Sequence, residues 1–462
     1  MFNLFYEGCL IIKGFAVNML PILCMQELLV YSEKKSPRLR YILKTLFQPH
    51  DVSVSITDNE DDFRASPLPK LNYSSQSISN CLQIIPHGIL FEYGIKDYFI
   101  EVHQHPEYQK VFLKTSKNIV PFDFFGAAFW LISRYEEYLP FKANKHNVFD
   151  YRSSIAWQNG FLHLPIVNIW LHEFLKQLKV VFPDFKVKHS GFSFKITVDI
   201  DSAYKFLHKG FARSLAGLAT DLVKGKPGDW KKRVLTWMRK RPDDYDCYDF
   251  LIQTNKSFSK NIIYFFLLGD YGINDKNHSA NNLRFRELIK HLADYSDAGI
   301  HPSFASNTSD QQLKVEISRL SQIIHKDIKL SRQHFGMLIF PNTYQSLISS
   351  GIKHDFSLGY TQVNGFRASY NSSFTWYDLR NEEETSLILH PFCLSDVALG
   401  REEEKQQILP AEKFKEFHKM FQELGGELTI IFHNDMLGNS EKGKKWQGYY
   451  YEIAQILENK GL

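Results

Sequence analysis

The chain has 462 residues, enough for two or three domains, and its 44% hydrophobic and 15% aromatic content can fill large cores. A formal net charge of only +4 carries no global nucleic-acid signature, so no nucleic-acid partner is expected. Five scattered cysteines (Cys9, Cys24, Cys81, Cys247, Cys393) without a Cys-x-x-Cys argue against a disulfide frame and read as reduced thiols of a cytosolic protein.

Residues 1–24 are apolar, but Glu7 and Lys13 interrupt them and no basic segment precedes the run. They read as an extension before a start at Met19 or Met25, neither a secretory signal nor a membrane span, and the predicted location is cytoplasmic. The first domain, 25–188, reads as mixed α/β. A strand runs from Met25 to Tyr31 and a helix from Ser36-Pro37 to about Phe47. A polar loop (58–80), short β runs around 83–103 and apolar helices at 122–138 and 166–178 follow. His103-Gln104-His105 spaces two imidazoles on a strand or turn with no third donor nearby, so it is not read as a metal site. Ser133-Arg134-Tyr135-Glu136-Glu137-Tyr138 reads as an interdomain or loop-anchoring contact.

The second domain, 189–462, opens on Phe192-Ser193-Phe194-Lys195-Ile196-Thr197-Val198-Asp199-Ile200-Asp201. Residues two apart in a strand share a face, so Asp199 and Asp201 converge where an apolar run meets a loop. Carboxylates that close repel unless a cation or proton lies between them. One as metal ligand and the other as base is the functional reading; a turn with both solvated is the alternative. Residues 204–241 form a basic helical insertion, with Lys205, Lys209, Arg213, Lys231, Lys232, Arg233, Arg239, Lys240 and Arg241 among apolar residues at helical spacing. Such a helix with Trp230 and Trp237 either lies on an anionic membrane surface or is a solvated basic face.

Later β-type runs end on chemistry-bearing residues: His301 with Ser303; Arg332 with His334; Arg367; His390, with Ser395-Asp396 beyond it; and His433-Asn434. Strands are expected near 192–200, 262–268, 298–302, 328–331, 354–366 (split), 386–390 and 427–433. Helices are expected at 281–295, 309–325, 341–350, 411–423 and 445–458. Alternating strands and helices predict parallel βα units, whose functional groups collect at the C-terminal strand ends.

These motifs resemble the polysaccharide deacetylase superfamily of nodulation-protein-B-like carbohydrate esterases. Thr197-Val198-Asp199-Ile200-Asp201 is similar to its Thr-Phe-Asp-Asp motif with one residue inserted, and Ile430-Ile431-Phe432-His433 to its Leu-x-x-His. His301-Pro302-Ser303-Phe304-Ala305 matches part of its His-Ser/Thr-x-x-His motif. Pro121-Phe122-Asp123, the Ser133–Pro140 phrase, Phe266–Gly272 and Gly365-Phe366-Arg367-Ala368 resemble a two-domain branch with an N-terminal domain of unknown function. The resemblance implies an irregular seven-stranded (β/α) barrel and a divalent metal, zinc first, with cobalt or manganese as alternatives. It implies Asp199 as base, Asp201 and His301 as ligands, His433 as general acid, and Arg332 or Arg367 beside the base. Position 305 is alanine where the motif has its second histidine, and His334 or His390 is expected to complete the shell. Ser303, Asp396 and Asn434 are the expected substrate contacts. The implied activity is removal of acetyl groups from N-acetylated sugars of a polysaccharide or lipid-linked glycan during surface-glycan biosynthesis. The alternative is a catalytically inactive module that binds a glycan or partner enzyme.

Overall fold

The computed structural model describes residues 26–115, 120–223 and 227–458. The expectations for residues 1–24 and for Met25 lie outside the described residues. The first domain is built on four parallel strands, β1 (Gln26–Tyr31), β2 (Val52–Thr57), β3 (Lys70–Asn72) and β4 (Leu82–Gln83), in the order β2-β1-β3-β4. A short antiparallel pair follows, β5 (His103–His105) with β6 (Gln109–Val111). The helix Pro37–Phe47 begins where the Ser36 side chain accepts the Leu39 N–H, with proline at a position that has no N–H to waste. The apolar helix expected at 122–138 is shorter, Phe124–Ile132, because Asp123 caps its start and Arg134 turns left-handed (φ 56°) beyond its end.

The second domain carries β7 (Phe192–Ile200), β8 (Ile262–Phe266), β9 (Asp297–Ile300), β10 (Leu330–Ser331), β11 (His354–Asp355), β12 (Phe374–Asp378), β13 (Glu383–Leu389), β14 (Leu394–Ser395) and β15 (Gly426–His433). They form one sheet in the order β12-β13-β11-β10-β9-β8-β7-β15-β14, parallel throughout except for the β12–β13 hairpin. The expected split strand at 354–366 is only β11. Downstream of it, Gly365 lies so close to Leu162 that an added Cβ would stand 2.5 Å from the Leu162 carbonyl oxygen, so this stretch packs on the first domain instead.

The expected irregular seven-stranded barrel is instead a nine-stranded sheet that does not close, because its edge strands β12 and β14 do not pair with each other. The sheet is nevertheless strongly curled. Seven strand spacings separate β13 from β14, roughly 34 Å if flat, whereas the chain from Leu389 to Leu394 spans at most about 18 Å. The two ends must therefore approach each other, and they do: Cys393 N–H donates to the Thr429 carbonyl (3.2 Å) and His390 Nδ1 lies 2.6 Å from Glu427 Oε1. β7 is buried on both faces. Phe194, Ile196, Val198 and Ile200 join the main core, while Asp199 and Thr197 point into the curl, where Ile263, Phe265, Leu330 and Phe356 form a second apolar cluster.

The two domains share a continuous core. At their seam Glu137 accepts from both Arg134 Nε (2.8 Å) and Arg367 Nε (2.9 Å), and Arg134 also donates to the Arg367 carbonyl. All three side chains are 2% exposed or less. Arg367 is thus committed to the first domain rather than to Asp199, which corrects its expected role beside the base. Glu137→Ala should strand the buried Arg367 guanidinium, while Arg134 keeps Glu136 at 2.8 Å, and cost about 3–5 kcal/mol of stability, read from denaturant midpoints. A midpoint equal to wild type would rule out this cluster as a stabilising joint.

Candidate metal centre

The strand register explains which side chains meet. Ile200, Phe266, Ile300 and Ser331 are successive partners across β7, β8, β9 and β10, so the next residues, Asp201, His301 and Arg332, leave the sheet at one rim. On the other side of β7, His433 is the register partner of Asp199. Asp201, His301 and His334 each offer one donor atom, all within 4.8 Å of one another, the sole such cluster of three or more among the described residues.

Each imidazole is aimed by a second bond. His301 Nδ1 donates to the Arg332 carbonyl (2.5 Å), leaving Nε2 to face Asp201 Oδ1 at 3.1 Å. His334 Nδ1 donates to Asp275 Oδ1 (3.0 Å), leaving Nε2 at 3.6 Å from Asp201 Oδ2. A carboxylate or carbonyl behind a histidine is the usual means of fixing the tautomer of a metal ligand. Asp275 also accepts the Phe304 N–H at 3.1 Å and so ties the His301 loop to His334. No sequence signal marked Asp275, which lies in an irregular loop after β8.

The donors fit a divalent metal. Asp201 Oδ1 is shielded from solvent yet accepts no hydrogen bond. One carboxylate and two imidazoles with a position left open is a donor set typical of catalytic zinc. Burial opposes the charge of His334, but Asp201 and Asp275 outweigh it and push its imidazole up to about 9. Burial likewise opposes ionisation of Asp201, but the charge of His334 foremost outweighs it and holds its carboxyl well below the usual range.

Asp199 is buried beside this cluster. Its Oδ2 accepts from Arg332 Nε (2.9 Å) and lies 4.0 Å from Nε2 of both His301 and His433. Its Oδ1 is buried without a partner, free to accept. His433 Nδ1 lies 2.8 Å from Asp396 Oδ1, and the His433 N–H donates to Asp396 Oδ2. Burial works against its charge, but Asp396 and then Asp199 and Asp201 raise the imidazole well above the ordinary histidine range, so it carries a proton at neutral pH.

Besides Arg367, four expected site residues take other parts than the expected ones. His390 stacks on Phe356 and bonds Glu427 and His354 (3.0 Å), away from the cluster. Following the register from Asp201 through His301 and Arg332 arrives at Phe356 and then His390, but strand tilt carries this row down the sheet. By β13 the row stands at the level of Glu427, near the start of β15, rather than at its end. Ser303 is buried and donates to Glu316 Oε1 (2.6 Å), so it braces the His301 loop instead of facing a substrate. Asp396 is spent on His433. Asn434 is buried and donates to the Ser202 carbonyl (3.0 Å) and to Tyr248 (3.2 Å).

Residues 28–183 match the model of a family described as a family of unknown function (DUF7033). No curated protein matches the chain. Among solved structures, a provisionally named polysaccharide deacetylase from Mycobacterium smegmatis aligns at 11% identity and a TM-score of 0.36, covering 58% of this chain and 88% of its own. A 4-alpha-glucanotransferase from Thermococcus litoralis aligns at 12% identity and the same TM-score, covering 58% of this chain and 38% of its own. At such scores neither likeness bears on function, and the functional reading rests on the site.

Metal must displace the proton that His334 holds up to about pH 9. Affinity should therefore rise as pH increases towards 9, with proton release on binding, measured by calorimetry in buffers of different ionisation enthalpy. Asp275→Asn should weaken binding about 10–100-fold. Affinity that is independent of pH would exclude His334 as a ligand.

Proposed function

We propose that the protein is a metal-dependent hydrolase that removes acetyl groups from N-acetylated sugars. One observation carries this reading: an arginine-held carboxylate and a carboxylate-held imidazolium flank a three-donor metal cluster at one rim. A divalent metal on Asp201, His301 and His334, zinc being the best match to a nitrogen-rich set, would acidify water and polarise an amide carbonyl.

The chain's own groups do the rest. Asp199 takes the proton of the attacking water at its free Oδ1, while Arg332, donating to Oδ2, orients the carboxylate. His433, kept protonated by Asp396, gives its Nε2 proton to the departing amine, completing an acid–base pair whose environments set opposite charge states. The reading as an inactive binding module drew on the missing histidine of the i, i+4 pair. It loses that motivation, because His334 supplies a third donor from another loop.

The acid–base arrangement suits hydrolysis of an amide, and the substrate class rests on the family that the motifs resemble: an N-acetylated polysaccharide unit or a lipid-linked glycan intermediate. For a lipid-linked substrate, the insertion would face an anionic membrane, since Trp230, Lys231 and Lys232 on the helix Pro227–Trp237 are exposed. Among the described residues no helix is long and apolar enough to cross a membrane.

Asp199→Asn should keep the metal and lose about 10²–10⁴-fold in turnover. Asp201→Asn should lose metal first, because an amide is a poorer ligand. Acetate release from N-acetylated oligosaccharides and lipid-linked sugars, assayed beside metal content, separates the two. Release by Asp199→Asn at the wild-type rate would remove Asp199 from the mechanism. No release by wild type with zinc, cobalt or manganese would restore the binding-module reading.

A further inference from the structure

The ring of His334 does not end the ordered array around the cluster. Phe335 stacks on it with centroids 3.8 Å apart and planes 22° apart, and His146 from the first domain stacks on Phe335 at 5.0 Å and 17°. We propose that the N-terminal domain is a working part of the metal centre: His146, acting through Phe335, is a positioning residue for the ligand His334. The inference rests on the reading of Asp201, His301 and His334 as a metal site.

His146 is presented by a built element. Ala143 and Phe149 bridge antiparallel, Asn144 N–H donates to the Val148 carbonyl (2.9 Å), and Asn144 Oδ1 accepts the His146 N–H (2.8 Å). Asn147 takes the left-handed conformation (φ 59°) that closes the turn. The hairpin is rooted at Phe149, which is buried under the Arg134 guanidinium at 5.9 Å. Arg134 is the same side chain that Glu137 locks at the domain seam. The Ser133–Tyr138 phrase therefore sets the base of the hairpin whose tip touches the metal centre.

Phe335 is the second unusual element. Its φ of 57° is rare for a bulky side chain and persists only where the surroundings enforce it. The residue stays 41% exposed, so burial is not what holds it there. The stack does something the hydrogen bonds cannot. Anchors at Nδ1 (Asp275) and Nε2 (the metal) define a line through the imidazole, and the ring can still swing about that line. A ring pressed on its face removes this freedom, and a second ring from the other domain holds the first in place.

The test uses the full-length protein, with cobalt as probe, competition with a chelator for affinity, and visible absorption for ligand geometry. His146→Ala should weaken cobalt binding about three- to tenfold and alter the absorption bands, while His146→Phe, which keeps a stacking ring, should restore both. Phe335→Gly should weaken binding further, because glycine accepts the positive φ and only the ring is lost. Asp201→Ala serves as the control that abolishes the site. Wild-type affinity and spectrum in both His146→Ala and Phe335→Gly, with Asp201→Ala unable to bind, would overturn the inference and leave the metal centre standing. A loss in His146→Phe equal to that in His146→Ala would also overturn it, since the imidazole itself, not stacking, would then matter. Cobalt binding by Asp201→Ala at wild-type affinity would bring down the metal centre and this inference with it.

Discussion

The guanidinium of Arg332 donates to Asp199 while its backbone carbonyl accepts from His301, so one residue sets both the orientation of the proposed base and the tautomer of a metal ligand. Both bonds lie in a nearly dry pocket, where Arg332 is 2% exposed and its guanidinium lies 4.4 Å from the centroid of the Phe392 ring. A lysine could supply the charge but not the planar fork, which also reaches the Phe356 carbonyl. Without this residue Asp199 Oδ2 would lose the donor that orients it, and His301 could present either nitrogen to the cluster.

The same logic recurs at three groups of the site. Asp199 has Arg332, His433 has Asp396, and His334 has Asp275, so each sits in front of a partner that orients it. These partners come from different segments: Asp275 from the loop after β8, Arg332 from the end of β10, and Asp396 from the start of the helix Asp396–Gln406. The curl of the sheet makes these meetings possible. Strand order itself places β15 beside β7 in register, so His433 and Asp199 stand as neighbours although most of the second domain separates them in sequence. The β12–β13 hairpin occupies an edge of the sheet and turns a face towards the first domain, where Tyr41 donates to the Thr375 carbonyl.

The first domain is therefore not an appendage. Its helix Pro37–Phe47 packs on β12 and β13, its Glu137 holds Arg367, and its 143–149 hairpin reaches the rim of the site. A domain joined by a shared core and a buried ion cluster moves little relative to its neighbour, which is the condition for supplying a side chain to a site requiring sub-ångström placement.

Strand endings were legible in the sequence because apolar runs stop where polar side chains begin. Asp199, Asp201, His301, Arg332 and His433 all sit at such stops, and these are the residues that the structure gathers at one rim. The parallel α/β character was legible for a similar reason, since strands buried on both faces read as continuous hydrophobic runs. Partner identity was not. Asp275, Asp396 and His146 lie in loops or at a helix start, where no periodicity says which way a side chain points. His390 and Arg367 looked equivalent to His334 and Arg332 by position, yet strand tilt lowered His390 to Glu427 and a close glycine contact turned the Arg367 segment towards Glu137. Local sequence determined where strands end and which residues stand there. Register, tilt and packing between distant segments, which depend on the whole sheet at once, decided which of those residues face one another.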